Sequence, residues 1–119
     1  MSSKPEEMRD RTTAFALRII RLFRSLPYRT DTQVLGKQLL RCGTSVAANY
    51  RAACRARSKA EFVARIAIVA EEADESVLWL ELLIESGIIK TELTVSLLKE
   101  SKELAAILTA SRETAKRTA

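Results

Sequence analysis

The chain has 119 residues, 47% of them apolar and 29% charged, with only 3 Gly, 2 Pro and 5% aromatics. That is the length and make-up of one soluble domain, and the scarcity of breakers excludes an all-β sandwich or barrel, which needs a turn about every 8–12 residues. Histidine is absent, which excludes Ser-His-Asp and Cys-His catalysis, histidine zinc sites and a histidine pH switch, while a formal charge of +5 keeps polyanions among the partners to consider.

The first helix is predicted from Pro5 or Glu6 to residue 26. Proline suits a first helical turn. Phe15, Ile19, Leu22 and Leu26 recur at helical spacing as a core stripe, and Pro27 stops the helix. Arg18, Arg21 and Arg24 fall on the opposite face, readable as a solvated back or as a basic stripe for a polyanion. After a loop over residues 27–31, a second helix is predicted over 32–56. Leu35, Leu39, Cys42, Val46, Tyr50 and Ala53 share one side, and Gly36, Gly43 and Ala47 form an adjoining strip. A glycine inside a helix costs about 1 kcal/mol against alanine, so two of them point to a neighbouring helix that approaches closely.

Ser58-Lys59-Ala60-Glu61 is a capping box: the Ser58 hydroxyl serves the amide of Glu61, and Glu61 reaches back. It predicts a third helix over 59–86, with Gly87 as the left-handed residue just past its end. Thr91 caps a fourth helix over 92–115, with Leu93, Leu97, Leu104, Leu108 and Ser111 on one side. Residues 1–6 and 116–119 are expected to fray. Four helices with connections of about 2–6 residues specify an all-α, antiparallel up-down-up-down four-helix bundle over residues 1–119 as a single domain. Its helices should be about 32–42 Å long.

The third helix is apolar nearly all round. Phe62, Ile66, Val69, Ala73, Val77, Leu80 and Ile84 form its core stripe, yet Ile68, Leu78, Trp79 and Leu82 point away from it. A bundle helix should be polar on its back, so this set reads as a subunit interface, or else as part of a wide internal core. Charge is segregated too. Residues 1–70 carry 14 bases and 5 acids, and residues 71–119 carry 6 bases and 10 acids. Glu72 and Glu75 share a helix face, as in bundle di-iron sites, but those sites need Glu-x-x-His motifs, so no metal or other cofactor is expected. Their expected role is to pair with Arg51 or Arg55 across helices or subunits, with Asn49 bonding a facing backbone or carboxylate nearby. Cys42 and Cys54 lie about 120° apart on one helix, which rules out a disulfide between them and leaves two free thiols packed in the core. No run of 18 apolar residues occurs, and the polar start from Met1 to Glu7 does not read as a signal peptide. A cytoplasmic location with no membrane contact is therefore expected.

Arg41-Cys42-Gly43-Thr44-Ser45-Val46-Ala47-Ala48-Asn49 resembles the second-helix signature of the four helix bundle protein family, also known as the 23S ribosomal RNA intervening-sequence proteins. Its usual pattern is Arg, two small residues, then Ser-Ile/Val-x-Ala-Asn. The resemblance continues through Arg55-Ala56-Arg57-Ser58-Lys59-Ala60-Glu61-Phe62 and the acidic stretch from Glu71 to Leu83. Ser25-Leu26-Pro27 is similar to the end of the family's first helix. In all, the resemblance spans about residues 12–110. One departure stands out: many members follow the Asn with Ile-Ala-Glu-Gly, where this chain has Tyr50-Arg51-Ala52-Ala53. The resemblance implies a ring-like homo-oligomer, typically a pentamer, with no established enzymatic activity. The accessory variability proteins of diversity-generating retroelements are similar in shape and bind nucleic acid and a reverse transcriptase, so the same classes of partner are implied here by analogy.

Two functions follow. One is an electrostatic nucleic-acid (RNA or DNA) binding module, with Arg18, Arg21, Arg24, Arg29, Lys37, Arg57 and Lys59 as candidate phosphate contacts. No recognition helix or aromatic platform is present, so binding would be nearly blind to sequence. The other is a protein-interaction scaffold. Its candidate interface is Ile68, Glu72, Glu75, Leu78, Trp79, Leu82, Asn49, Arg51 and Arg55.

Overall fold

The structure is a computed structural model that describes residues 4–118. Four helices follow in order: α1 (Lys4–Ser25), α2 (Thr30–Cys54), α3 (Lys59–Glu85) and α4 (Thr91–Thr118). Gly36 and Gly43 of α2 lie against Phe23 and Ile19 of α1, respectively. Arg41 reaches Glu75 of α3, while Asn49 meets Arg65 further back along it. Arg11 of α1 meets Glu100 of α4, while Arg18 meets Ser96. In each pair one number rises as the other falls, so neighbouring helices run antiparallel. The bundle is 44 Å long. The α2–α3 and α3–α4 contacts are extensive, and α1 and α4 barely touch.

The helix ends follow local chemistry. At Ser58 the side-chain oxygen accepts from Glu61 N at 3.0 Å, whereas the Glu61 carboxylate accepts from Arg57 N at 3.0 Å, one residue before its expected partner. Gly87 has φ +81°, a conformation open to glycine without Cβ strain. Its amide bonds Ile84 O, and Ile89 N bonds Leu83 O, which closes the end of α3. Elsewhere the boundaries move. α2 begins at Thr30, where Gln33 N already bonds Arg29 O at 2.8 Å; Arg29 makes no side-chain cap bond, and Asp31 in the first turn accepts from Thr32 N at 2.8 Å. It ends at Cys54, where Arg55 N turns back to Ala52 O. The helices also run into residues expected to fray, from Lys4 and on to Thr118, and Ala115 still sits in the core. Residues 1–3 and 119 lie outside the described residues, as does the side chain of Leu93.

The core holds Phe15 and Ile19 of α1, Leu39 and Val46 of α2, Ile66, Leu80 and Leu83 of α3, and Leu104 and Leu108 of α4. Buried hydroxyls are mostly satisfied by the preceding turn: Thr12 bonds Met8 O, and Thr94 bonds Lys90 O. Of the off-stripe residues on α3, Ile68, Leu78 and Leu82 are exposed. Trp79 differs. It is half-buried and packs on the core, with its indole N–H enclosed and unpartnered, since a ring of that size covers the flank of its helix as well as its back. Among the described residues, no helix is long and apolar enough to cross a membrane.

Candidate nucleic-acid interface

The acids of α3 find a partner other than the expected one. Arg41 Nη2 donates to Glu75 Oε2 at 2.6 Å, and Nη1 donates to Glu72 Oε2 at 3.1 Å. The Glu75 bond pushes the Arg41 pKa up, so this guanidinium holds its charge at any working pH. Among the described residues Arg51 and Arg55 make no such pair, which corrects the expected assignment within the chain. The antiparallel register puts residue 41 opposite 72 and 75, whereas Asn49 already faces Arg65, so Arg51 lies well past the acids. Asn49 bonds neither carboxylate nor facing backbone. Its amide donates to Ser45 O and Oγ, and its oxygen accepts from Arg65 at 3.3 Å.

Cys42, Glu72 and Glu75 come close enough for their ligand atoms to lie within 4.8 Å of one another. The spacing within α2 hides this grouping, because its members sit on two helices. Its chemistry is already filled: Arg41 neutralises both carboxylates, the Ser76 hydroxyl lies 3.2 Å from Cys42 Sγ, and burial pushes the thiol pKa up. Cys54, by contrast, is exposed rather than packed in the core. A colorimetric thiol reagent is therefore expected to titrate one cysteine in the native protein and two after denaturation. Two rapid equivalents in the native state would show that the α2–α3 seam around Cys42 opens.

Released from the acids, Arg51 and Arg55 project near the end of α2. Arg57 and Glu61 join them around a depression of ≈ 440 Å³ whose base is Ala48 and Ala52. On the side facing α1, Arg9 and Asp10 extend the same surface past Ala47. None of the four guanidinium groups forms an ion pair among the described residues, although Asp10 and Glu61 stand beside them and Glu61 accepts from the Arg57 backbone. Small side chains below and cations around make a shallow, positive surface that a charged backbone can approach closely. The sequence separates Arg9 from the others by more than 40 positions, and only the α1–α2 packing joins them.

The seven candidate phosphate contacts do not form one surface. Arg57 and Lys59 belong to this end of the bundle, where Lys59 stands 5.8 Å over the Phe62 ring. Arg18, Arg21, Arg24, Arg29 and Lys37 lie towards the other end. Arg18 donates to Ser96 at 3.0 Å, and Arg29 sits 3.6 Å from Asp31. Arg21, Arg24 and Lys37 are exposed.

Residues 6–110 match the family described as 23S rRNA-intervening sequence protein. The chain belongs to that family. It is also similar to a crystal structure of a protein of unknown function from the S23 ribosomal protein family of Bacteroides thetaiotaomicron. Identity is 36% and the TM-score is 0.84, over 93% of this chain and 99% of that one. No curated protein matches. Neither the family's description nor that of the solved relative names an enzyme. In this 23S rRNA-intervening sequence protein, the residues that carry the family resemblance are packing residues. Arg41 clasps α3, Gly43 admits Ile19 of α1, and Asn49 ties Ser45 to Arg65. The arginine surface lies beside this motif and uses the departure from the family pattern, Arg51 with two alanines after it.

Proposed function

We propose that this chain is a non-enzymatic, homo-oligomeric bundle, pentameric as the resemblance implies, that acts in the cytoplasm by binding nucleic acid, with structured RNA as the first class to test. One observation carries the reading: Arg9, Arg51, Arg55 and Arg57 converge on an alanine-based surface where, among the described residues, no carboxylate pairs with their guanidinium groups and four cations outnumber Asp10 and Glu61. Where many members carry an acid, this chain has Ala52 between Arg51 and Arg55. The family's description refers to a 23S rRNA intervening sequence, which is the reason structured RNA is tested first. Five copies would carry about +25 and present the surface repeatedly, so weak contacts would add through multivalency.

Fluorescence anisotropy with a labelled structured RNA, titrated at about 50 mM and about 200 mM salt, tests this. Affinity is expected to fall steeply with salt. Arg51→Ala, Arg55→Ala and Arg57→Ala together should lower the slope of log K against log salt by about 2–3, close to one unit per lost phosphate contact. A folded protein with no binding at low salt would defeat the reading. The alternative is a scaffold that binds a protein, such as a reverse transcriptase. It is favoured by the exposed Ile68, Leu78 and Leu82, and a packed apolar contact of that kind changes little with salt.

A further inference from the structure

We infer that the groove between α1 and α4, at the end where α1 finishes, receives the outward face of α3 from a second copy of this chain. The inference rests on the homo-oligomeric part of the reading above and names the contact that builds the oligomer.

α1 and α4 are tied along their middle by Arg11, which bonds Glu100 at 2.7 Å and Glu103 at 2.9 Å, and by Arg18, which bonds Ser96. Beyond that clasp they part over a groove of ≈ 570 Å³. Leu22, Ile88 and Leu97 supply its apolar lining, Arg18, Arg21 and Lys90 its cations, and no carboxylate lines it among the described residues. An open groove of this kind suits an occupant that is apolar along its centre and acidic at its margins.

The outward face of α3 has that pattern. Ile68, Leu78 and Leu82 are 38%, 47% and 38% exposed. Glu71, Asp74 and Glu85 share this face at helical spacing, are exposed, and have no cation partner among the described residues. The groove is short of acids and the α3 face is short of bases, so each supplies what the other lacks. No Cα of α1 comes within 8 Å of one in α3, so the two helices sit diagonally across the core, and the outward face of α3 points away from the groove. One contact then leaves a groove free on one copy and a face free on the other, so assembly runs head to tail. Arg18 and Arg21 are thereby assigned to a protein partner rather than to phosphate, separate from the arginine surface at the opposite end.

Sedimentation equilibrium on two full-length variants tests the contact. Arg21→Glu with Lys90→Glu disables the groove, and Leu78→Glu with Leu82→Glu disables the face. All four residues are exposed, so far-UV circular dichroism should match wild type. Each variant alone is expected to fall to the mass of one chain, 13.3 kDa. An equimolar mixture should form a dimer of twice that mass, because one intact groove meets one intact face. Should charge reversal lower helicity, Arg21→Gln with Lys90→Gln reads the same contact. A mixture that stays monomeric, or a groove variant that keeps the wild-type mass, overturns this contact and leaves RNA binding by the arginine surface untouched. A monomeric wild type overturns both the contact and the oligomeric reading.

Discussion

Leu80→Ala is expected to destabilise the chain by about 2–5 kcal/mol, lowering Tm by about 8–20 °C at this chain length. Leu78→Ala, two residues away, should stay within about 0.5 kcal/mol for the single chain. The two leucines share a helix and a local sequence, so propensity cannot separate them. Leu80 is fully enclosed, with α2 and α4 packed on either flank of α3. Those flanks prevent the helix from settling into the space its side chain leaves, and the cavity persists. Leu78 is nearly half exposed and loses little water-excluded area on truncation. Thermal denaturation at several protein concentrations separates the cases. A concentration-independent loss at Leu80 and a concentration-dependent one at Leu78 would fit a core residue and a contact residue. Equal losses would show that α3 is turned differently in the bundle.

Gly43→Val is expected to cost about 1–3 kcal/mol, whereas Gly36→Ala should change stability by no more than about 0.5 kcal/mol. A Cβ at Gly43 would meet Ile19 Cγ1 at 2.9 Å, Cγ2 at 3.1 Å and Cβ at 3.3 Å. Isoleucine in a helix is confined to nearly one χ1 rotamer, and its Cβ cannot retreat without moving α1. Valine adds two further methyls to that contact. At Gly36 the tightest approach, 2.8 Å, is to Leu26 Cδ1. Leu26 Cδ1 is the far end of a half-buried side chain, which can swing away, and the half-buried Phe23 ring, at 3.1 and 3.2 Å, has to give by only a few tenths of an ångström. The clash is then offset by the gain of about 1 kcal/mol in helix propensity for replacing an interior glycine. Urea denaturation of both variants checks the contrast. If Gly43→Val were as stable as wild type, α1 and α2 would not cross where the glycines place them.

The glycines show what was readable in advance. Two of them within one predicted helix announce a close neighbour, but which helix, and with what room to yield, depends on Ile19 and Leu26 from another element. The stops at Pro27, Ser58 and Gly87 were legible because each acts within a few residues: a fixed φ, a hydroxyl three residues from its amide, a backbone without Cβ. The start of α2 was missed by two residues because its cap residue, Arg29, makes no side-chain cap bond and so leaves no signature in the sequence.

Charge was legible as composition and not as partnership. An excess of bases before residue 70 and of acids after it is plain in the sequence, as is the apolar back of α3. Whether Arg41 or Arg51 meets Glu75 depends on antiparallel register, which shifts by whole turns with the length of a loop and the packing of a core. The four-helix plan, the stripes and the caps are local and periodic, so the sequence by itself determined them. The arginine surface joining Arg9 to Arg51, the clasp of Arg41 on α3 and the open seam between α1 and α4 bring together residues far apart in the chain. Only tertiary packing decided those, because side chains on different helices meet according to register and crossing geometry, which no local pattern encodes.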